Sequence, residues 1–358
     1  MAWRYIAQRA VSGEFLDYDL PLEVSELSWA LSSAGALKAT IAPEIANFTA
    51  ADGRPLLEEW STFLYAEEGG VIRWGGIVVS STFDDETWTV EASGFACYPH
   101  GIPYLGSLRV YSVDPTSVVE DIWRHIQSFP DGNLGVEFVR QPTPVRIGQP
   151  PYNGAADEPY ELVWWEAPDC GAEIQTLADT TPFDFVEEHE WDGDNIAHRI
   201  RTHYPRVGRR RTDLAFVQGD NVTNVVSFMR DGDDYANTIV GLGAGEGELA
   251  LRRVLPERDG RLRRTHVYSA KDVSNAARLD ALIRSELQAR RGYLEVTSLD
   301  LVDHDNARIG SWELGDDILV SADAPWLGRV EVWCRVVGWA LTGEHTASLS
   351  LVRSDSFI

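Results

Sequence analysis

The densest gathering of groups able to do acid–base or metal chemistry runs from Glu187 to His203. His189, His198 and His203 stand there among Glu187, Glu188, Glu190, Asp192 and Asp194. Imidazoles and carboxylates make metal sites and proton-transfer pairs when they converge on one point. The spacing argues against convergence. His189-Glu190-Trp191-Asp192-Gly193 is not the H-E-x-x-H run that sets two imidazoles on one helical face, and Gly193 interrupts any helix. The stretch reads as a solvated acidic loop. Glycoside hydrolysis needs two carboxylates at a defined separation, and in a chain this rich in Asp and Glu no pair stands out.

Other candidates are weaker. Gly241-Leu-Gly-Ala-Gly-Glu-Gly follows an apolar strand but has the spacing G-x-G-x-G-x-G without a parallel βαβ context, so it reads as a turn whose glycines supply positive φ rather than a dinucleotide loop. Cys97, Cys170 and Cys334 are far apart with no C-x-x-C, which indicates buried small apolar residues rather than zinc ligands or disulfides. There is no G-x-S-x-G elbow and no P-loop. The expectation is therefore a non-enzyme: no catalytic, cofactor-binding or metal residue is assigned, and no cofactor is expected.

A formal charge of −25 argues against a groove that grips nucleic acid, since phosphate binding draws its affinity from clustered Lys and Arg. The same charge suits a surface past which DNA must slide. Arg209-Arg-Arg211 and the set Arg252, Arg253, Arg258, Arg261, Arg263 and Arg264 stand out against this background. They read as solvated loops or as surfaces that dock on an acidic face of a neighbouring copy. No apolar run approaches the roughly 18 residues of a membrane helix, and Met1-Ala-Trp-Arg-Tyr lacks the features of a secretory signal, so synthesis and folding in a cytoplasm are expected.

The elements that must position these groups are mostly strands. Alternation marks two strands between Trp3 and Leu20 around Ser12-Gly13-Glu14; a strand follows at Ala36–Ile41, apolar runs at Trp60–Ala66 and Val71–Phe83 flank Glu67-Glu-Gly-Gly, and Thr87–Ala92 has a sharp period of two. Gly75-Gly76 marks a bulge or a close approach. These first hundred residues predict one small antiparallel barrel or sandwich. Asp114-Pro115 opens a helix with Val118, Val119, Ile122, Trp123 and Ile126 on one stripe, stopped by Pro130 and Gly132. Residues 141–169, rich in Pro and Gly, form a connection with a strand at Tyr160–Trp165. After a β-rich middle from Phe183 to Gly247, Ser274 caps a second helix whose Ala276, Leu279, Leu282, Ile283 and Leu287 share a face before Gly292. Strands return at Leu294–Leu301, Asp317–Ser321, Val330–Val337 and Ala347–Val352. Val332, Cys334 and Val336 point inward there, leaving Trp333 for a subunit contact or a second covered face. The whole reads as mainly β with α+β insertions, divided as 1–105, a helix-containing connection at 106–182, and 183–358 with an inserted helix near 274–291.

A set of short segments carries a family resemblance: Phe15-Leu-Asp-Tyr-Asp-Leu-Pro-Leu, Trp74-Gly-Gly-Ile-Val-Val leading to Glu91-Ala-Ser-Gly-Phe, Gly219-Asp-Asn-Val, the stretch Asn237 to Gly245, and Leu314-Gly-Asp-Asp-Ile-Leu-Val. Taken in order they span nearly the whole chain, which resembles the tail-tip (baseplate) hubs and minor tail proteins of actinobacterial long-tailed siphophages. The resemblance implies two tube-like antiparallel β-barrel domains per chain and a homotrimer whose pseudo-sixfold ring joins a six-fold tail tube and distal tail ring to a three-fold tip. It implies a place at the virion tail tip. Expected partners are the distal tail protein ring, the C-terminal end of the tape-measure protein, other minor tail or receptor-binding proteins, and DNA only in transit during ejection. Many such hubs continue into a spike or wall-degrading domain; this sequence stops at Ile358, so lytic activity is expected to belong to another protein.

Two rival readings come from other classes. The 13 Trp and 12 Tyr could form platforms that stack on sugars, making a carbohydrate-binding tail module, although alternating strand positions favour core packing for most of them. A tail-associated cell-wall hydrolase using the Glu187 to Asp194 cluster is the other.

Overall fold

A computed structural model describes residues 3–42, 49–83, 87–150, 158–230, 232–233, 235–245, 247–271, 273–292, 294–324 and 326–354. Part of the Pro- and Gly-rich connection (151–157) and Glu246 of the glycine run lie outside the described residues. The chain is mainly β with helical insertions. It divides into two compact units: a larger one of residues 1–209, 309–316 and 337–349, and a smaller one of residues 210–308, 317–336 and 350–358.

The larger unit opens with seven strands: β1 (Trp3–Arg9), β2 (Phe15–Asp17), β3 (Glu23–Ala30), β4 (Ala36–Ile41), β5 (Thr62–Glu68), β6 (Val71–Phe83) and β7 (Trp88–Gly94). They pair antiparallel in the order β3-β4-β7-β6-β5-β1-β2. Alternation places Trp88, Val90 and Ala92 of β7 inward, as their period predicts. β5 instead is buried on both faces, with Leu64 and Ala66 in one apolar cluster and Phe63 and Tyr65 in another, which is why its sequence reads as a continuous apolar run. Gly75 and Gly76 are close approaches: a Cβ on Gly76 would sit 2.4 Å from the Ser93 carbonyl oxygen, and one on Gly75 would sit 2.9 Å from Tyr65 Cδ1.

The second face of that sheet is covered by the insertions. β8 (Ser107–Val110) pairs with β10 (Tyr160–Val163), and β9 (Val136–Val139) runs parallel to β12 (Asn195–His203), which forms an antiparallel hairpin with β11 (Asp184–Asp192). Helix α1 (Pro115–Ile126) buries Val118, Val119, Ile122, Trp123 and Ile126, and Asp114 caps it by accepting from Thr116 N–H at 3.1 Å. It ends at Ile126, before Pro130. A second helix, α2 (Cys170–Thr180), was not expected; Asp169 caps it by accepting from Ala172 N–H at 2.7 Å, and Cys170, Ile174 and Leu177 face the core. Trp164 and Trp165 lie in a turn and are exposed rather than extending β10.

The smaller unit contains β13 (Phe216–Val217), β14 (Thr238–Leu242), β15 (Arg252–Pro256), β16 (Thr265–Ser269), α3 (Ala276–Ala289), β17 (Ser298–Val302) and β18 (Asp317–Ala324). β19 (Gly328–Gly343) and β20 (Thr346–Arg353) form the last hairpin. β13 is parallel to β18, which pairs antiparallel with residues 328–335 of β19. The later residues of β19, Gly338 to Leu341, belong to the larger unit and pair antiparallel with β3. Val332, Cys334 and Val336 are buried as expected, and the opposite face is covered too: the Arg210 guanidinium lies 4.4 Å from the centroid of the Trp333 ring.

β15, β14 and β16 make a separate three-stranded sheet, with β14 antiparallel to β15 and parallel to β16. α3 closes one face of it through Leu279, Ile283 and Leu287, packed in one cluster with Ile239. Its N-cap is Asn275, which accepts from Ala277 and Arg278 N–H, not Ser274. Ala276 is exposed and Leu282 only half-buried, so the buried stripe is narrower than expected. In the glycine run, Gly245 and Gly247 have positive φ in the turn, whereas Gly241 makes room for the helix: a Cβ there would lie 2.6 Å from Ile283 Cγ2.

Candidate functional site

The stretch 187–194 is not a loop. Its residues alternate along β11, and the hairpin sorts them onto two faces because successive side chains of a strand point to opposite sides. Glu188 and Glu190 face outward. Arg201 grips Glu188 at 2.8 and 3.0 Å, and Arg199 bridges Glu190 and, at 2.7 Å, Glu137. Glu187 and His189 face inward with His198, directly opposite His189 in register. Asp192 and Asp194 flank the Gly193 turn in solvent, and His203 is half-buried near the base of the hairpin. The expectation of a solvated acidic loop is thus corrected: regular pairing turns Glu187, His189 and His198 inward.

The inner face is an aromatic cage. The His198 ring stacks on Phe95 at 4.6 Å and on Tyr65 at 5.5 Å, with Phe63 edge-on. Its Nε2 lies 3.2 Å from the Tyr65 hydroxyl, which donates to Gln8 Oε1 at 2.9 Å. Burial first, and the neighbouring His189 second, push His198 down to about 3, so it is neutral near neutral pH. Glu187 accepts from Ala96 N–H at 2.7 Å and lies 3.7 Å from His189 Nε2. Among the described residues no group of three His, Cys, Asp or Glu side chains converges to hold a metal ion. The face locks the hairpin onto β5 and the Phe95 turn.

The cysteines behave as apolar residues. Cys170 and Cys334 are buried, Cys97 is half-buried, and burial pushes the thiols of Cys97 and Cys170 up to about 11 and about 12. Two of the basic residues singled out in the sequence grip carboxylates: Arg211 clasps Asp213 at 2.9 and 2.7 Å, and Arg253 clasps Asp280 with two contacts of 2.6 Å.

The feature of the larger unit that sequence reasoning missed is an open groove of about 590 Å³. It is lined by Trp3, Trp29, Trp312, Trp339 and Leu341 together with the polar Glu68, Arg73, Glu188, His203, Glu313 and Glu344. Trp29 is fixed by its indole N–H, which donates to the Arg73 carbonyl at 2.8 Å. Trp312 meets the Trp339 ring edge-on at 5.9 Å and is buried. Aromatic faces beside paired carboxylate and guanidinium groups can stack on a sugar ring and bind its hydroxyls, or hold an apolar side chain of a partner. The sequence signal was Trp at positions 29 and 339, but their adjacency depends on a pairing between strands some 300 residues apart in the chain, as the register Trp339↔Trp29 shows.

No protein-family model matches the sequence, and no curated relative does. Solved structures match over the whole chain. The prophage tail protein gp18 from Listeria monocytogenes EGD-e superimposes with a TM-score of 0.58 at 13% identity, covering 98% of this chain and 95% of that one. The 43 kDa tail protein of prophage MuSo2 from Shewanella oneidensis gives 0.57 at 13% identity, with 99% of each chain covered. The tail protein from Neisseria meningitidis MC58 gives 0.59 at 13% identity, covering 98% and 97%. The chain therefore has the fold of these tail proteins.

Proposed function

We propose that the chain is a structural protein of a phage tail, the hub at its tip. The observation that carries this reading is end-to-end agreement of fold with three tail proteins, since coverage of 95% or more on both sides leaves no large domain of theirs or of this chain outside the match. In this reading three copies close a ring around the tail channel, two tube-like barrels from each chain supply six lobes, and the ring adapts a six-fold tube to a three-fold tip. The barrels fall within residues 1–105 and 183–358, joined by the helix-bearing connection at 106–182. The distal tail ring lies on one side, the end of the tape-measure protein within, and receptor-binding or other minor tail proteins outside. The siphophage assignment rests on the sequence resemblance.

The charge of −25 supports a passage for DNA, because an acidic wall does not bind the genome as it leaves. Copy number in purified tails tests the reading: quantitative mass spectrometry of tail particles is expected to return three copies per tail, and labelling with a chain-specific antibody is expected to decorate the distal end. A copy number in the tens with label along the tube would overturn it.

The Trp-lined groove supports a second reading, a carbohydrate-binding tail module. Binding of the purified chain to cell-wall glycan, abolished by Trp29→Ala, would favour it; a chain that binds no wall polymer would remove it. A hydrolase draws no support from the geometry, since the hairpin puts Glu187 and His189 on the face opposite Glu188 and Glu190. On the hub reading, Glu188→Gln changes no wall-degrading activity.

A further inference from the structure

The charge of the chain is unevenly placed. Between Arg252 and Gly292 there are eleven Lys and Arg against five Asp and Glu, whereas the other residues hold 20 against 51. This basic stretch supplies two strands and the helix of the three-stranded sheet β15-β14-β16. A small sheet with one face under a helix normally presents polar side chains on the other. Here the middle row of the free face is apolar. Register sets Val254, Val240 and Val267 in one row across it, on the side opposite Ile239, which packs in the cluster with α3. Val254 is 42% exposed and Val267 53%. Arg252, also exposed, sits in the next row beside Leu242.

The loop joining β15 to β16 extends this surface at one end. Leu262 is 89% exposed, yet the loop around it is pinned. The Asn237 side chain donates to the Leu262 carbonyl at 3.2 Å and accepts from Arg264 N–H at 2.9 Å, and the Arg261 guanidinium lies 4.6 Å from the centroid of the Tyr235 ring. An apolar side chain held outward by a fixed loop, with exposed Arg263 and Arg264 beside it, is preorganised for contact and loses little freedom on binding.

We infer that this face of the sheet, with Leu262 and the flanking arginines, docks on an acidic surface of a second copy of the chain. The occupant follows from charge: the residues outside 252–292 hold 20 Lys and Arg against 51 Asp and Glu, so the rest of a copy is acidic, while this face carries Arg252, Arg263 and Arg264 around an apolar centre. The contact joins unlike patches, so it is heterologous, and three or more such contacts close a ring when the rotation permits. The inference rests on the ring reading for the number of copies, and it assigns the surface independently of where in a virion the ring sits.

The test uses the full chain. Its association state is measured by sedimentation velocity across a concentration series at low and high salt, for wild type, Val254→Asp with Val267→Asp, and Arg263→Glu with Arg264→Glu. The second variant alters only exposed loop side chains, so it reports even if the first folds poorly; far-ultraviolet dichroism checks both. The expected result is a wild-type oligomer that weakens as salt rises, with each variant lowering the association constant by at least about tenfold. A wild-type oligomer indifferent to both variants overturns this assignment and leaves the hub reading standing. A wild-type chain that stays monomeric throughout also overturns it, as does one that instead binds a short DNA duplex through Arg263 and Arg264. The hub reading fails separately, on copy number and position in tails.

Discussion

Trp29 and Trp339 stand directly opposite each other in the antiparallel pairing of β3 with β19 and stack with centroids 4.0 Å apart and planes 11° from parallel. Cross-strand pairs are the units from which sheets draw specificity, and an aromatic pair in this geometry adds to simple burial. The pair also fixes register, since a one-residue slip of either strand would send its ring to the other face, away from its partner. Each single change to Ala is expected to cost about 2 kcal/mol or more. A double-mutant cycle in urea should return a coupling of about 0.5–1.5 kcal/mol. Additive effects of the two changes would mean that the rings do not support one another.

The buried imidazole on β12 predicts a pH dependence. An unfolded His takes up a proton below its ordinary 6.5, whereas folded His198, held down by burial, does so only near 3. Between those values the unfolded chain binds the extra proton, so stability is full above pH 6.5 and falls as the pH drops toward 3. The slope is about 1.4 kcal/mol per pH unit for this one group. His198→Phe keeps an aromatic ring among Phe63, Tyr65 and Phe95 and should reduce that slope between pH 6.5 and 4.5, above the carboxylate range. Parallel pH profiles for variant and wild type would show that His198 protonates freely in the fold.

Asp114 carries more than a helix cap. It accepts from Thr116 N–H and, across the connection, from Thr143 N–H at 2.9 Å and Thr143 Oγ1 at 3.0 Å, while Arg140 lies 3.0 Å away. Burial alone would raise its pKa, but the hydrogen bonds from Thr143 and Thr116 outweigh that and leave it below the ordinary carboxylate value. Asp114→Ala is expected to lower stability by about 2 kcal/mol or more, beyond a simple cap loss of about 1. Denaturant unfolding of Asp114→Ala beside Asp114→Asn would check this, with Asn recovering part of the loss.

Gly76 lies opposite Gly94 in register, and a methyl group there would meet the Ser93 carbonyl and the Trp74 ring, each at 2.4 Å. Gly76→Ala should therefore destabilise by about 1–3 kcal/mol through overpacking, whereas Gly13→Ala, with open space around its Cβ, is governed by its φ of +70° alone. Melting temperatures of the two variants separate the steric from the backbone effect.

What the sequence made legible was local. Trp88, Val90 and Ala92 announce their face by period two, and Asp114-Pro115 announces a helix start, because both signals are complete within a few residues. β3 was not foreseen: Glu23, Glu26 and Ser25 are exposed on it, and only Leu27 is fully buried. α2 hid behind Cys170-Gly-Ala, a weak helical opening whose cap, Asp169, also accepts from Gly101 N–H. The Glu187 to Asp194 stretch reads as a loop from charge density alone, which does not reveal that Arg199 and Arg201 on the next strand pair with Glu190 and Glu188. The groove was illegible for the same reason at longer range, since its wall brings Trp3 and Trp29 beside Trp312 and Trp339.

In the proposed reading, three copies of this chain form a collar with six β-lobes at the end of a phage tail. Electron cryomicroscopy of intact tail tips would decide it. The expected map has three chains around the axis, each contributing two superimposable barrels to one ring with acidic side chains toward the channel. A map in which the chain hangs outside the axis as a single appendage, or supplies only one lobe per copy, would contradict it.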